Sequence, residues 1–519
     1  MTRFVQPVTW LFLGVWLVLL VGGRSRFFQD PGTFWHVAVG DRIMGEGFFD
    51  NDPYTFTFAG KEWVPHQWLG ECAMAILHRL AGFDALLLGT ATVLAAAYAG
   101  LGARLMRGGL HPSVVAVLVA AAVAASSGHF HVRPHLATIV GMAVVFVYLA
   151  DVDAGRLPLN RLAWLIPVTW LWANIHGGVL GGLATFAIAI AGWSVARLLR
   201  RPTPIDGWWD LGRVSFIWLA CVAVCFLNPY FHRLPWSWIE IYQMESLPSI
   251  IKEHSRLDPG DWTGITVLGF GAVYCLLLAT VPVRQIRVTW LLPLVWLGLA
   301  CLRVRHGPLF AVGALVGIAE FFRYTRVADA LVRRKSDLFT PPATQPAPPT
   351  VADEFRPFWL PAGLVALSLF LQIVGATIPV LGRGWARLDA NVWPVELLPE
   401  LRANERTRPR GTRIFNEYAY GGFLIQQCPG YRVFIDDRCE LFGDEFLVQF
   451  VQTRGQLQLG LYDDPAEPFA EWQAQFGSFD FALVETGGGF DVALARIPAW
   501  EVIRRTETAA LYRRAAGPP

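Results

Sequence analysis

From residue 7 to residue 381, apolar runs long enough to cross a bilayer alternate with short segments rich in arginine, histidine and proline. Beyond that point the pattern shortens to the scale of small strands and helices. The first run, 7–23, lacks a small-residue cleavage site and is followed at once by Arg24 and Arg26, so it reads as a retained span. Further runs lie at 83–103, 111–127, 136–150, 162–175, 177–196, 213–228, 263–281, 288–302, 308–322 and 358–381. They predict about eleven membrane-spanning helices, several shorter than ~20 residues and therefore tilted, extended by their flanks or broken around a cavity. Segment 66–80 differs: Leu69, Ala73, Ile76, Leu77 and Leu80 make one stripe opposite Gln67, Glu71, His78 and Arg79, the pattern of an interfacial helix.

Short loops set the direction. Arg104 with Arg107, Arg156 with Arg161, the Arg197, Arg200 and Arg201 group, Arg284 with Arg287, and Arg333 to Lys335 fall on one common side, which the positive-inside rule makes cytoplasmic. Arg3 before the first span and Arg24 and Arg26 after it argue locally for the reverse, and the five later clusters outvote them. The expected organisation is a membrane domain over 1–335 with its first outer loop at 24–82, a proline-rich cytoplasmic linker at 336–357, a last span within 358–385, and an extracytoplasmic α/β domain at 386–519. In that domain RIFNEY, RVFIDD, FDFALVE and WEVIRR read as strands, and FGDEFLVQFVQT and PFAEWQAQF as helices. Tyr420, Gly421 and Gly422 read as a turn entering a strand. Asp436, Asp437 and Arg438 close another strand, either as a capped turn or as a ligand-binding pair.

Composition removes whole classes of function. With 54% hydrophobic and 16% charged residues and a mean hydropathy of +0.40, the chain cannot bury its apolar surface in a soluble core. A net charge of +2 and the lack of any basic block interleaved with aromatics argue against a nucleic-acid partner. The seven cysteines show neither a zinc spacing nor a disulfide framework; Cys428 and Cys439, outside the membrane half, are either free thiols or an exported bridge.

The histidines are unevenly distributed. On the predicted topology His36, His66, His129, His131, His135, His176, His232, His254 and His306 lie in or beside outer segments, and the exported domain has none. Those segments, among them DPGTFWH, HFHVRPH, NIHGG and RVRHGP, are irregular, and irregular backbone at membrane depth belongs around a polar chamber. Arg133, Arg303 and Arg305 at span ends either snorkel to the interface or, with His36, His66, His135, His176 and His306, bind a phosphate. His129, His131 and His135 are open to two readings, metal ligands or phosphate-facing groups. Gly177 and Gly178 break the helix after Asn174, which would turn His176 into the chamber. Asp30 before Pro31 fits a helix N-cap with proline at the first helical position, starting a helix through about Met44. A carboxylate at the same place, facing arginine and histidine, also suits a general base toward a hydroxyl nucleophile.

The first span, then DPGTFWHVAVGDRIMGEG, then GKEWVPHQWLGECAMAILHRLAGF and a second span resemble the start of GT-C membrane glycosyltransferases, which include protein O-mannosyltransferases, lipid A aminoarabinose transferases and, more distantly, oligosaccharyltransferase. The DPxxxWH start, the NxHGG turn and a C-terminal domain with YGGFLI and IDDR are also similar to bacterial multi-span proteins. The resemblance implies a polyprenyl-phosphate-linked sugar as donor, a lipid, glycan or protein acceptor outside the cytoplasm, and a bacterial cytoplasmic (inner) membrane. It implies a first-loop acid that activates the acceptor: Asp30, with Asp52 of FDNDPYTFT as second candidate. Where many relatives carry another acid in the second outer loop this chain has HFHVRPH, and His176 stands where aminoarabinose transferases carry lysine. The motifs name no definite cofactor, and a divalent metal is left open. The developing phosphate charge then falls to Arg133, His135, His176 and Arg305. A transporter of phosphorylated lipids and a non-catalytic assembly protein built around the exported domain are the alternatives; polar residues on one face only, and no internal repeat, favour the enzyme.

Overall fold

A computed structural model of the chain describes residues 6–341 and 356–515, so 342–355 of the proline-rich linker lie outside the described residues. A helix occupies each of the eleven apolar runs: α1 (Pro7–Arg26), the distal part of α3 (Trp68–Arg107), then Pro112–Ser126, Leu136–Asp153, Leu165–Ala173, Val179–Leu198, Trp208–Val224, Trp262–Ala279, Val288–Leu302, Gly307–Phe321 and Trp359–Ile373. Seven of the described helices are long and apolar enough to cross a membrane, and Val288–Leu302 and Trp359–Ile373 are shorter apolar helices. The chain is a mostly helical, multi-pass membrane protein with a small C-terminal sheet domain. The most enclosed helix is Gly307–Phe321, in which every residue but Glu320 is buried. Glu320 pairs at 2.8 Å with Arg104 and at 2.7 Å with Arg156, bringing two of the arginine-bearing loops to one end of the bundle.

Between α1 and α3 runs α2 (Gly32–Glu46), the short helix expected after Asp30. The break at Ala81 and Gly82 separates the interfacial stretch of α3 from its spanning part. Just past it, Asp84 accepts the backbone N–H groups of Gly384 at 2.8 Å and Ala386 at 2.7 Å, tying the chain leaving the last span to the first outer loop.

The C-terminal domain has a five-stranded sheet in the order β2-β1-β3-β5-β4, with β1 (Thr412–Asn416), β2 (Tyr431–Val433) and β3 (Phe481–Glu485) parallel, and β4 (Trp500–Arg505) and β5 (Ala509–Arg514) antiparallel. Its edge is extended by the segment between α2 and α3: Thr55 bridges Val433 in parallel, Val433 N–H donates to Tyr54 O at 3.1 Å, and Phe56 N–H donates to Val433 O at 3.1 Å. An otherwise bare strand edge is thereby paired. Two local expectations fail. Tyr420 to Ile425 is not a turn and strand but part of the helix Tyr420–Gln427. Its glycines permit close packing, since a Cβ on Gly421 would strike Ile435 O and one on Gly422 would strike Pro31 O of the membrane domain. Strand β2 ends at Val433, so Asp436 and Asp437 sit on the loop beyond it. Cys428 and Cys439 are free.

Candidate active site

The N-cap of α2 is Pro31 and not Asp30, because the helix begins one residue later than expected, at Gly32; Asp30 stands just before it. Its Oδ1 accepts the Gly32 N–H at 2.8 Å and its carbonyl accepts Thr33 N–H at 3.2 Å, so it satisfies donors at the start of α2. Its Oδ2 accepts Nη1 of Arg133 at 2.9 Å. Arg133 is delivered by the turn before Leu136–Asp153, and that turn is stitched to the first outer segment by Val132 N–H to Phe27 O at 2.9 Å and Thr33 Oγ1 to Val132 O at 2.9 Å. Burial works against the Arg133 charge, but the carboxylates of Asp30, Glu253 and Asp437 outweigh it and hold the guanidinium firmly protonated.

Around this pair the outer histidines converge. His135 donates Nε2–H to His129 O at 2.8 Å, and the two rings are 4.3 Å apart. His129 Nδ1 lies 3.2 Å and His131 Nε2 3.8 Å from Glu253 Oε1. Burial alone would raise the Glu253 carboxyl; His129, Arg133 and His135 reverse this and keep it well below the usual carboxylate range. Burial pushes His131 and His135 down, so their rings are neutral near pH 7. His176 Nδ1 accepts the Gly178 N–H at 3.0 Å and lies 2.8 Å from Thr138 Oγ1, which leaves Nε2 as the protonated nitrogen of the neutral ring. Arg305 donates to His254 Nε2 at 2.6 Å; burial and that arginine push His254 down to about 3.

These groups are conspicuously under-satisfied. Among the described residues Arg133 Nε, His131 Nδ1, His135 Nδ1 and His254 Nδ1 are buried without a hydrogen-bond partner, a costly condition that native interiors avoid unless a ligand or solvent shares the space. Asp30, His131 and Glu253 each offer one ligand atom, all within 4.8 Å of one another, so a divalent cation fits between the first, second and a later outer segment.

The other predicted residues divide. His36 Nδ1 is 3.0 Å from Glu71 Oε1 in full burial, beneath Arg133 and His66, and burial followed by Arg133 pushes it well down. His66 faces Glu440 at 3.7 Å and contacts the Gln67 amide at 3.1 Å. Arg303 lies over Tyr242 at 5.5 Å, and His306 packs on Trp296 at 5.5 Å; both flank Arg305 in the chain. His232 is exposed against Phe231 and does not join the group. Asp52 is placed elsewhere: it accepts from Thr55 Oγ1 at 2.5 Å and pairs at 2.8 Å with Arg438, which also binds Asp436 at 2.6 Å, all three side chains with 0% exposure. It belongs to the joint between the two domains because its side chain is spent there.

Sequence reasoning missed Glu253, Asp437, Glu71 and Glu440. Glu253 had one signal, its place beside His254 in an outer segment; Asp437 had the IDDR pattern but nothing to say which of its two acids is structural. In the fold Asp436 is locked by Arg438, whereas Asp437 is buried with an unpartnered Oδ1, and burial and the Asp30 charge push its carboxyl well above the ordinary range.

No family model and no curated protein matches the chain. Among solved structures it is similar to ArnT from Cupriavidus metallidurans in the apo state, with 14% identity, 98% of each chain covered and a TM-score of 0.48. The same protein bound to undecaprenyl phosphate gives 14% identity, 98% of each chain and a TM-score of 0.47. The archaeal oligosaccharyltransferase AglB from Archaeoglobus fulgidus, in complex with an inhibitory peptide and a dolichol-phosphate, gives 10% identity, 98% of this chain, 74% of that chain and a TM-score of 0.48.

Proposed function

We propose that the chain is a membrane glycosyltransferase of GT-C type that moves a sugar from a polyprenyl-phosphate carrier to a lipid, glycan or protein acceptor on the outer face of the bacterial cytoplasmic membrane. The observation that carries this reading is the meeting of Asp30 with Arg133 at 2.9 Å, beside histidines from separate outer segments, in one buried polar site. Transfer requires a nucleophile activated on one side of the anomeric carbon and a phosphate whose charge is absorbed on the other. Asp30, rigid at the start of α2, is the acid beside the acceptor. Arg133, Arg305 and the Nε2–H of His176 are the donors for the carrier phosphate, and the neutral rings of His131 and His135 add polarity without repelling a cation. Asp30, His131 and Glu253 would hold a divalent ion, which when bound supplies Lewis-acid neutralisation of phosphate oxygens. Arg303 and His306, which flank Arg305 in the chain, suit the entry of an anionic lipid headgroup.

The test is release or transfer of label from undecaprenyl-phosphate carrying radiolabelled hexoses or pentoses by the purified protein, with Asp30→Asn as comparison. Loss of turnover in a normally expressed Asp30→Asn protein is the expected result. Full turnover in that variant, or movement of the lipid with no covalent change, overturns the reading.

A further inference from the structure

The C-terminal domain carries an acid with a buried, unpartnered oxygen at its junction with the membrane domain. Asp436 and Asp437 are adjacent, yet they face different surroundings. Asp436 is consumed by Arg438, which reaches it through Nε at 2.9 Å and Nη2 at 2.6 Å. Asp437 lies within the electrostatic reach of Asp30 and Arg133 across the domain boundary, next to the point where Gly421 meets Asp436 and Gly422 meets Pro31, and its Oδ1 is buried with no hydrogen-bond partner among the described residues. Three features hold it there: the Arg438 ion triad with Asp52, the pairing of Thr55 with Val433, and the contact of the helix Tyr420–Gln427 with Pro31, one residue from Asp30. Asp30 itself has both oxygens engaged, one by Gly32 N–H and one by Arg133. A second carboxylate within the electrostatic reach of the same arginine, held rigidly and with an open oxygen, is therefore not a spare structural group: burying it there without a partner costs stability.

We propose that Asp437 is the acceptor-side catalytic carboxylate, contributed to the membrane site by the exported domain. It accepts a hydrogen bond from the acceptor's nucleophilic O–H or N–H while Asp30 keeps Arg133 and the acceptor in line. As the new bond to the anomeric carbon forms, the bond from that carbon to the carrier's phosphate oxygen breaks. The nucleophile's proton passes to Asp437, and the carrier leaves with the electron pair as its phosphate anion. Asp437 in this role makes the exported domain part of the reaction centre and not an accessory, and it rests on the glycosyl-transfer reading above.

The experiment uses the full-length protein in detergent with undecaprenyl-phosphate carrying radiolabelled hexoses or pentoses, water serving as acceptor, and binding of unlabelled undecaprenyl phosphate measured in parallel. Asp437→Asn is expected to bind the carrier phosphate within about threefold of the wild type and to release sugar at least about 100-fold more slowly. Asp437→Glu is expected to recover part of that rate, and added formate to accelerate Asp437→Gly but not the wild type. A wild type that releases sugar while Asp437→Asn does so within about threefold of it overturns this inference alone and leaves the transferase reading standing. A wild type that binds the carrier but releases nothing from any of these donors overturns both. An Asp437→Asn protein that fails to fold is replaced by Asp437→Glu and Asp437→Gly with formate, and loss of rescue in both overturns the assignment.

Discussion

Two arginines, the partly buried Arg133 and the fully buried Arg438, sit in contrasting surroundings. Arg438 has a carboxylate on each side, at 2.8 Å from Asp52 and 2.6 Å from Asp436, and lies between the rings of Trp63 at 4.6 Å and Tyr54 at 5.2 Å. Arg133 has one close carboxylate and neighbours whose own polar atoms are open, and each arginine keeps one partnerless nitrogen, Nε of Arg133 and Nη1 of Arg438. A charge buried for structure is neutralised by the protein itself, because removing either partner would strand the other. A charge buried for chemistry is left incomplete, and the fold bears the desolvation cost so that a ligand can complete it. The difference separates the two acids proposed from the first outer loop: Asp52 goes with Arg438, Asp30 with Arg133.

The comparison is most sharply tested at Arg133. Arg133→Ala should lower sugar release by roughly 100-fold or more while leaving the unfolding temperature nearly unchanged, since its surroundings are already open. Label release and thermal unfolding measured on one preparation check both halves. Next in size, Arg438→Ala strands Asp52 and Asp436 and should destabilise the domain joint by about 3–5 kcal/mol, read as limited proteolysis between the first outer loop and the sheet. If it instead abolished turnover in a protein with an intact joint, the division of roles would be wrong. Gly422→Val presses a side chain on Pro31 O and Trp35 and should cost about 1–3 kcal/mol, with faster hydrogen exchange in α2 as the readout.

A smaller effect depends on pH. Burial raises the Glu417 carboxyl from 4.5 to about 7 despite Arg454 at 3.1 Å. A carboxyl raised in the folded state stabilises fully below its unfolded value, and that contribution is lost as pH rises through the folded value. Hydrogen-exchange protection of β1 and β3 should therefore fall between about pH 4.5 and about 7, and Glu417→Gln should flatten the curve. Smallest of all, Arg79→Ala removes an exposed pair with Asp41 and should change stability by less than about 1 kcal/mol in thermal unfolding.

The apolar runs, the helix after Asp30, the break before residue 83 and four of the five strands were legible in the sequence, because hydropathy and period are local properties that survive any tertiary arrangement. The helix Tyr420–Gln427 was not: two adjacent glycines look like a turn until Ile435 and Pro31 are seen pressing on them. The polar site was legible as a population, in the histidines and arginines gathered at outer segments, and illegible as a set of pairs. Asp30 finds Arg133 across 103 positions, and Thr57 reaches Phe434 across 377. Which side chain faces which at such separations is set by how helices pack and by the outer loop joining the edge of the exported sheet. Residue type and hydropathy are thus written along the chain, whereas the pairing of Asp30 with Arg133 and of Asp52 with Arg438, and the gathering of Glu253 and Asp437 around the Arg133 charge, belong to the packing alone.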